Sequence, residues 1–419
     1  MVLFFLIIIV FLISIYERRS RNWLVSPIIL LSYPTTCLII IHYFIAQLIG
    51  QRHISDSAMY ITIGGFICFW IGTLLFRLRN QILYRTKDKI LSLKVHKNFT
   101  KYFILVSSIC ILGMLADLRS ILANRSSMII EDKEFANNGL AAHLSNFITI
   151  SIIFFIGSLK IPEFRVKRKI AITFLLCCLF LKFLTAIKGE LILPIIGGII
   201  LLLYYKKIIM SFKTLFIVAI VSTFLFIGMG LTFNSGNKEF ELLAITDFFS
   251  YYLFSGLTGL SGMLYDYHLV FGQYPLWIGR TFVNFYEKFL GSGTLDTASA
   301  TTWVVVTLPD AFLPHASNVA TLIGEIFMNC GFILGIFVLI VLGWYTAYLF
   351  KMAKRYYLYG IVYAYVGACL VLNFFSTYII QPGFYETQLA CFILVFITYY
   401  RRFYYASYIS SNKSTSTVF

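Results

Sequence analysis

Charge is scarce in this chain: Asp, Glu, Lys and Arg make up 12% of its 419 residues, against 59% hydrophobic ones. A soluble domain carries about twice that charge. A water-soluble globular protein is therefore excluded, and a mean hydropathy of +0.85 points to an integral membrane protein. Regular apolar-polar alternation is missing too. That excludes a membrane β-barrel and leaves helices, the other structure that satisfies its backbone in lipid. Paired cysteine motifs are absent, since Cys37, Cys68, Cys110, Cys177, Cys178, Cys330, Cys369 and Cys391 all fall inside apolar runs. They read as small hydrophobes, not as disulfide partners or metal ligands.

Catalytic signatures are missing as well. There is no Walker-type P-loop, H-E-x-x-H, G-x-S-x-G or D-x-D motif. ATP-driven transport, zinc proteolysis, serine hydrolysis and metal-dependent transfer from a nucleotide sugar lose their usual markers. No cofactor and no metal are expected. No repeat, heptad or Gly/Ser linker divides the chain. The expected organisation is one transmembrane domain over residues 1–409 and a short cytoplasmic tail over 410–419.

What is present is a series of apolar runs near residues 2–16, 24–49, 58–76, 102–118, 141–159, 170–187, 190–205, 214–233, 320–350, 358–380 and 388–408. Each is of the order needed to cross a bilayer core of about 30 Å. The expected fold is an all-α polytopic membrane protein of about eleven spans. The first run lacks a basic leader, and Glu17-Arg18-Arg19 follows it in place of a small-residue cleavage site, so it reads as a retained span.

The net charge of +16 would suggest a nucleic acid partner in a soluble protein; here its distribution sets topology. Sorted by alternate loops, 25 of the 34 lysines and arginines fall on one side and eight on the other, with Lys182 inside a span. The positive-inside rule then places the N-terminus outside and the tail inside.

On the outer side one connection stands out by length, residues 234–319. It holds Arg280, Glu287, Lys288, Asp296, Asp310 and His315, and a long ordered insertion between spans is where water-side chemistry is expected. Its aromatic stretch from Asp247 to Val270, with Tyr251 and Tyr252, is expected at the membrane interface. Trp277 to Gly291 is expected to form a short amphipathic helix with Arg280, Asn284, Glu287 and Lys288 on one stripe. A second outer loop, Arg119 to Leu140, contributes Arg125.

Two charges sit at costly depth. Lys182 lies about a turn and a half inside a span, where a lysine costs roughly 2.5 to 3.5 kcal/mol unless it faces protein or water. Lys188, in the tight turn Thr185 to Glu190, can snorkel instead. Glu325 lies in the span after the long loop and must neutralise or find a cation. It either pairs helices or orients a site residue such as His315, whose imidazole can accept a hydroxyl proton at neutral pH. Ser317 or Asn318 is expected to cap that helix.

The tract Pro314-His315-Ala316-Ser317-Asn318, through Gly324-Glu325 to Gly331 and Gly335, resembles the late-span pattern of O-antigen polymerases, the Wzy family. Arg280 to Gly291 also fits the R-x10-G motif of that family's periplasmic loops. Lys188-Gly189 resembles its basic outer turn, with lysine where bidentate arginine is usual. The resemblance implies a GT-C-like architecture in a bacterial inner membrane. It also implies joining of undecaprenyl-diphosphate-linked oligosaccharides into a longer glycan at the periplasmic face, with a chain-length regulator as a further partner. His315 would be the general base, Glu325 the orienting carboxylate, and Arg280, Arg125, Lys188 and Lys182 the diphosphate or sugar ligands. Tyr251, Tyr252 and Asn318 would face the sugars. An O-antigen ligase or a lipid-linked oligosaccharide flippase is the alternative.

Overall fold

The computed structural model describes residues 1–19, 22–83, 97–116, 140–184, 188–209, 242–266, 271–289, 291, 302–308, 316–354, 356–375, 377–381 and 383–394. Its helices are α1 (Val2–Glu17), α2 (Pro27–Ile45), α3 (Asp56–Leu83), α4 (Lys97–Ala116), α5 (Leu140–Ser158), α6 (Arg168–Leu184), α7 (Lys188–Tyr204), α8 (Leu242–Asp266), α9 (Arg280–Phe289), α10 (Leu322–Ala353) and α11 (Tyr357–Val371). Residues 383–394 are helical as well. Among the described residues, five helices are long and apolar enough to cross a membrane: Pro27–Ile45, Asp56–Leu78, Phe99–Ala116, Leu322–Ala353 and Tyr357–Phe374. Val2–Glu17, His143–Ser158 and Leu191–Tyr204 are shorter apolar helices. The chain is thus a mostly helical, multi-pass membrane protein. The run at 214–233 and the second half of that at 388–408 lie outside the described residues, as does the tail.

The apolar runs explain the helices, and contacts between distant segments explain how the ends are tied. At one end Arg77 Nη2 meets the fully buried Glu17 carboxylate at 2.7 Å. There Asn22 Nδ2 donates to Tyr204 O at 3.1 Å, Tyr205 donates to Ala353 O at 2.8 Å, and Thr100 donates to Phe164 O at 2.6 Å. This basic end gathers Arg18, Arg19, Lys160, Lys206, Lys207, Lys351 and Lys354. Burial beside Arg77 and Lys351 pulls the Lys354 ammonium below its ordinary value.

The opposite end is covered by parts of the long connection. Strands β1 (Val304–Val305) and β2 (Ala316–Ser317) pair antiparallel, with Val304 opposite Ser317. The same segment binds the turn after α2: Leu308 N–H donates to Gly50 O at 2.8 Å, and Arg52 N–H to Val306 O at 3.2 Å. Among the described residues this small ladder is where the chain departs from helix. The aromatic stretch expected at the interface is the 25-residue α8, whose Phe254, Leu257, Leu260 and Met263 are buried inside the fold. Gly256 and Gly259 lie against the backbone of Phe374 and Val319, so the glycines that interrupt the apolar pattern let α8 sink into the bundle.

α10 packs most extensively on α3, through small residues. A Cβ on Gly72 would lie 2.0 Å from Ile340 O, and one on Gly343 would lie 2.1 Å from Phe69 O. The backbones touch, as small-residue crossings in membranes allow. Gly72→Ala is expected to destabilise the protein by about 3 kcal/mol or more, the upper range of overpacking. Gly64→Ala, with nothing within 4 Å of the added methyl, should leave stability unchanged or raise it by up to about 1 kcal/mol. Thermal unfolding of the two variants in detergent checks the pair.

Candidate functional site

α10 begins later than the apolar pattern suggests. Ser317 is held extended in β2, so neither it nor Asn318 caps the helix; Thr321 does, its hydroxyl accepting from Gly324 N–H at 3.1 Å. Glu325 follows in the first turn and is 8% exposed. Thr377 and the Ala320 backbone approach its carboxyl, and Asn329 Nδ2 donates to Glu325 O at 2.9 Å. No described cation pairs with it.

Two turns on, α10 breaks at Gly331, whose φ of 75° and ψ of 175° are not helical. The positive φ is cheap only for glycine. The break frees carbonyls of the preceding turn, and a loop uses them: Gly272 N–H donates to Met328 O at 3.0 Å and Tyr274 N–H to Asn329 O at 3.1 Å. Gly272 and Gly331 lie so close that a Cβ on Gly272 would sit 3.2 Å from Gly331 Cα. Beside the break runs an apolar groove of about 550 Å³, lined by Phe271, Phe332, Ile333 and Phe337.

A second cluster forms where α5 begins and α6 ends. Lys182 is fully buried, and its ammonium donates to Ser145 Oγ at 2.7 Å. On the same helix, two residues before Ser145 and one after it, His143 Nδ1 at 2.9 Å and Asn146 Nδ2 at 2.8 Å hold the Glu386 carboxylate. Thr387 donates to Asn146 O at 3.3 Å, and the next turn of α5 is thereby fixed to the last described helical segment. Tyr385, beside Glu386, meets Phe282 of α9 with ring centroids 4.8 Å apart.

Of the residues singled out from sequence, Tyr251 meets the segment that carries Asn318 and leads into α10, where Glu325 lies. The Tyr251 hydroxyl donates to Ala316 O at 2.8 Å, and Gly259 of the same helix lies under Val319 and Ser317. Lys182 belongs to the second cluster. Arg280 stands exposed at the start of α9, and the R-x10-G glycine, Gly291, lies where a Cβ would strike Glu287, its N–H donating to Tyr286 O at 3.0 Å. The described residues between 372 and 388 touch both clusters, with Thr377 near Glu325 and Glu386 at α5. Arg125 and His315 lie outside the described residues. Lys188 and Tyr252 are placed in helices by their backbones only.

Sequence reasoning missed Asn373, Thr377, His143 and Glu386. Asn373 Nδ2 donates to Leu31 O and to Thr35 Oγ1, both at 3.0 Å, tying α2 to the end of α11. A polar side chain embedded in an apolar run was the available signal. Among the described residues there is no group of three or more His, Cys, Asp or Glu that could hold a metal ion. The arrangement offers an ammonium, two carboxylates and a set of neutral hydrogen-bonding groups at one end of the bundle, chemistry suited to binding and polarising oxygen-rich substrates.

Residues 56–403 match the model of a family described as a family of unknown function, DUF6337. No curated protein and no solved structure matches the chain.

Proposed function

The chain belongs to the DUF6337 family, and we propose that it is a glycan polymerase of about eleven spans in a bacterial inner membrane. Its substrates would be undecaprenyl-diphosphate-linked oligosaccharides, joined at the periplasmic face. The observation that carries this reading is Glu325 followed by the break at Gly331, where Gly272 and Tyr274 of the long connection bond to the freed carbonyls. Gly331, the first glycine after Glu325 in the resembled tract, has a positive φ that favours glycine. The end opposite the basic segments is read as periplasmic by the positive-inside rule.

In this reading an acceptor hydroxyl attacks the anomeric carbon of the donor. The new C–O bond forms as the bond to the diphosphate breaks, and the electron pair leaves with the diphosphate. His315 takes the hydroxyl proton, with Glu325 as its orienting carboxylate. Lys182, Lys188, Arg125 and Arg280 supply positive potential where the diphosphate charge develops. Tyr251, Tyr252 and Asn318 contact sugars, and the groove beside Gly331 suits a polyprenyl chain in lipid. A chain-length regulator is the expected protein partner.

Deletion of the gene, followed by gel analysis of surface polysaccharide, tests the reading. Loss of long chains with retention of a single repeat unit is expected. Loss of the single attached unit as well would assign the protein to ligation or flipping and overturn polymerisation.

A further inference from the structure

α2 carries a histidine one turn from its end at the covered face of the bundle. His42 is fully buried, and among the described residues no group meets either of its ring nitrogens in hydrogen-bond geometry. Its ring lies against Phe254 of α8, with centroids 4.9 Å apart and planes tilted by 58°. The Gln51 side chain is its polar neighbour. Gln51 is 1% exposed, and its Oε1 is also unpartnered.

The walls around this pair are fixed by backbone bonds. Ala46 N–H donates to His42 O and Gln51 N–H to Ala46 O, each at 2.8 Å, so the turn after α2 folds Gln51 back toward the histidine. Gln51 in turn bridges to Thr307 of the covering segment. The polar atoms are therefore held in place. A buried, unsatisfied polar group is costly, and two such side chains held together by the backbone call for a ligand that meets them.

Donor and acceptor inventory defines what fits. A neutral imidazole presents one N–H and one lone pair on opposite edges of its ring, and Gln51 Oε1 adds a second acceptor. At the three unpartnered atoms an anion would meet a single donor and two acceptors. A hydroxyl group, which donates and accepts at once, matches both edges. We infer that His42 and Gln51 form a buried binding site for hydroxyl groups, contributed by water or by a sugar. The sugar source rests on the glycosyl-transfer reading; the site itself does not.

The test uses the full chain in lipid nanodiscs, labelled with [15N]histidine, with the His42 signals assigned by their loss in His42→Phe. Ring nitrogen shifts are read in buffer alone and with added polyprenyl-diphosphate-linked oligosaccharide. Hydrogen-bonded ring nitrogens in at least one condition, displaced in Gln51→Leu, are expected. Bonding already present in buffer, unchanged by glycan and showing magnetisation transfer from water to the ring, assigns the source to water; a shift that appears on adding glycan assigns it to sugar; bonding in buffer without transfer from water makes Gln51 itself the partner and overturns the site. Nitrogens without hydrogen bonds in both conditions, or shifts indifferent to Gln51→Leu, overturn the site. The buffer arm contains no glycan, so it fails or succeeds independently of polymerisation.

Discussion

Lys182→Met yields a folded protein whose glycan extension falls about 10²-fold or more, the loss typical of removing one electrostatic contact to developing charge. Methionine preserves the length and most of the volume of the lysine stem in a site that is fully buried. Replacing a buried ionic group by an apolar chain of similar volume is tolerated where it leaves no opposite charge unpaired, so the fold is expected to survive. One partner left behind is Ser145, which loses the ammonium at 2.7 Å; an unmet hydroxyl costs about 1 kcal/mol. Thermal unfolding alongside chain-length analysis separates the two effects. Wild-type chain lengths in a folded Lys182→Met protein would remove Lys182 from the site.

Glu325→Gln is the second large effect. Glutamine keeps the shape of the side chain in the first turn of α10 and can still meet Thr377, yet it carries no charge. If the carboxylate orients a base, extension falls about 10²- to 10⁴-fold, the range a general base contributes, while the protein folds normally. If Glu325 only joins helices, Glu325→Gln alters unfolding temperature and spares extension. Extension rate and melting of this one variant therefore decide between a working carboxylate and a structural one.

Much of the bundle was readable from runs of apolar residues, because a span has to be long and apolar wherever it packs. The run at 320–350 is α10 at Leu322–Ala353, and that at 141–159 is α5 at Leu140–Ser158. Less readable was where an element starts. Ser317 looks like a cap, but pairing with Val304 holds it in a strand and hands the cap to Thr321. The segment around Phe254 looks interfacial by composition, whereas Gly256 and Gly259 let it approach other backbones and bury its face.

The site divides in the same way. Lys182 and Glu325 stand out because a charge in an apolar run is costly at any position. His42, Thr377 and Asn373 are neutral and cost little locally, so their meaning lies in partners far along the chain, as in the contact between Asn373 and Thr35. Gly331 was visible as a motif glycine, but its positive φ and its approach to Gly272 belong to the folded backbone alone.

The central claim is glycosyl transfer between lipid-linked units, and purified protein in liposomes tests it most directly. Supplied only with polyprenyl-diphosphate-linked repeat units, the protein should convert them into a ladder of longer lipid-linked glycans and release free polyprenyl diphosphate in proportion to the bonds formed. Repeat units that remain single in the presence of folded protein, with no diphosphate released, would contradict it.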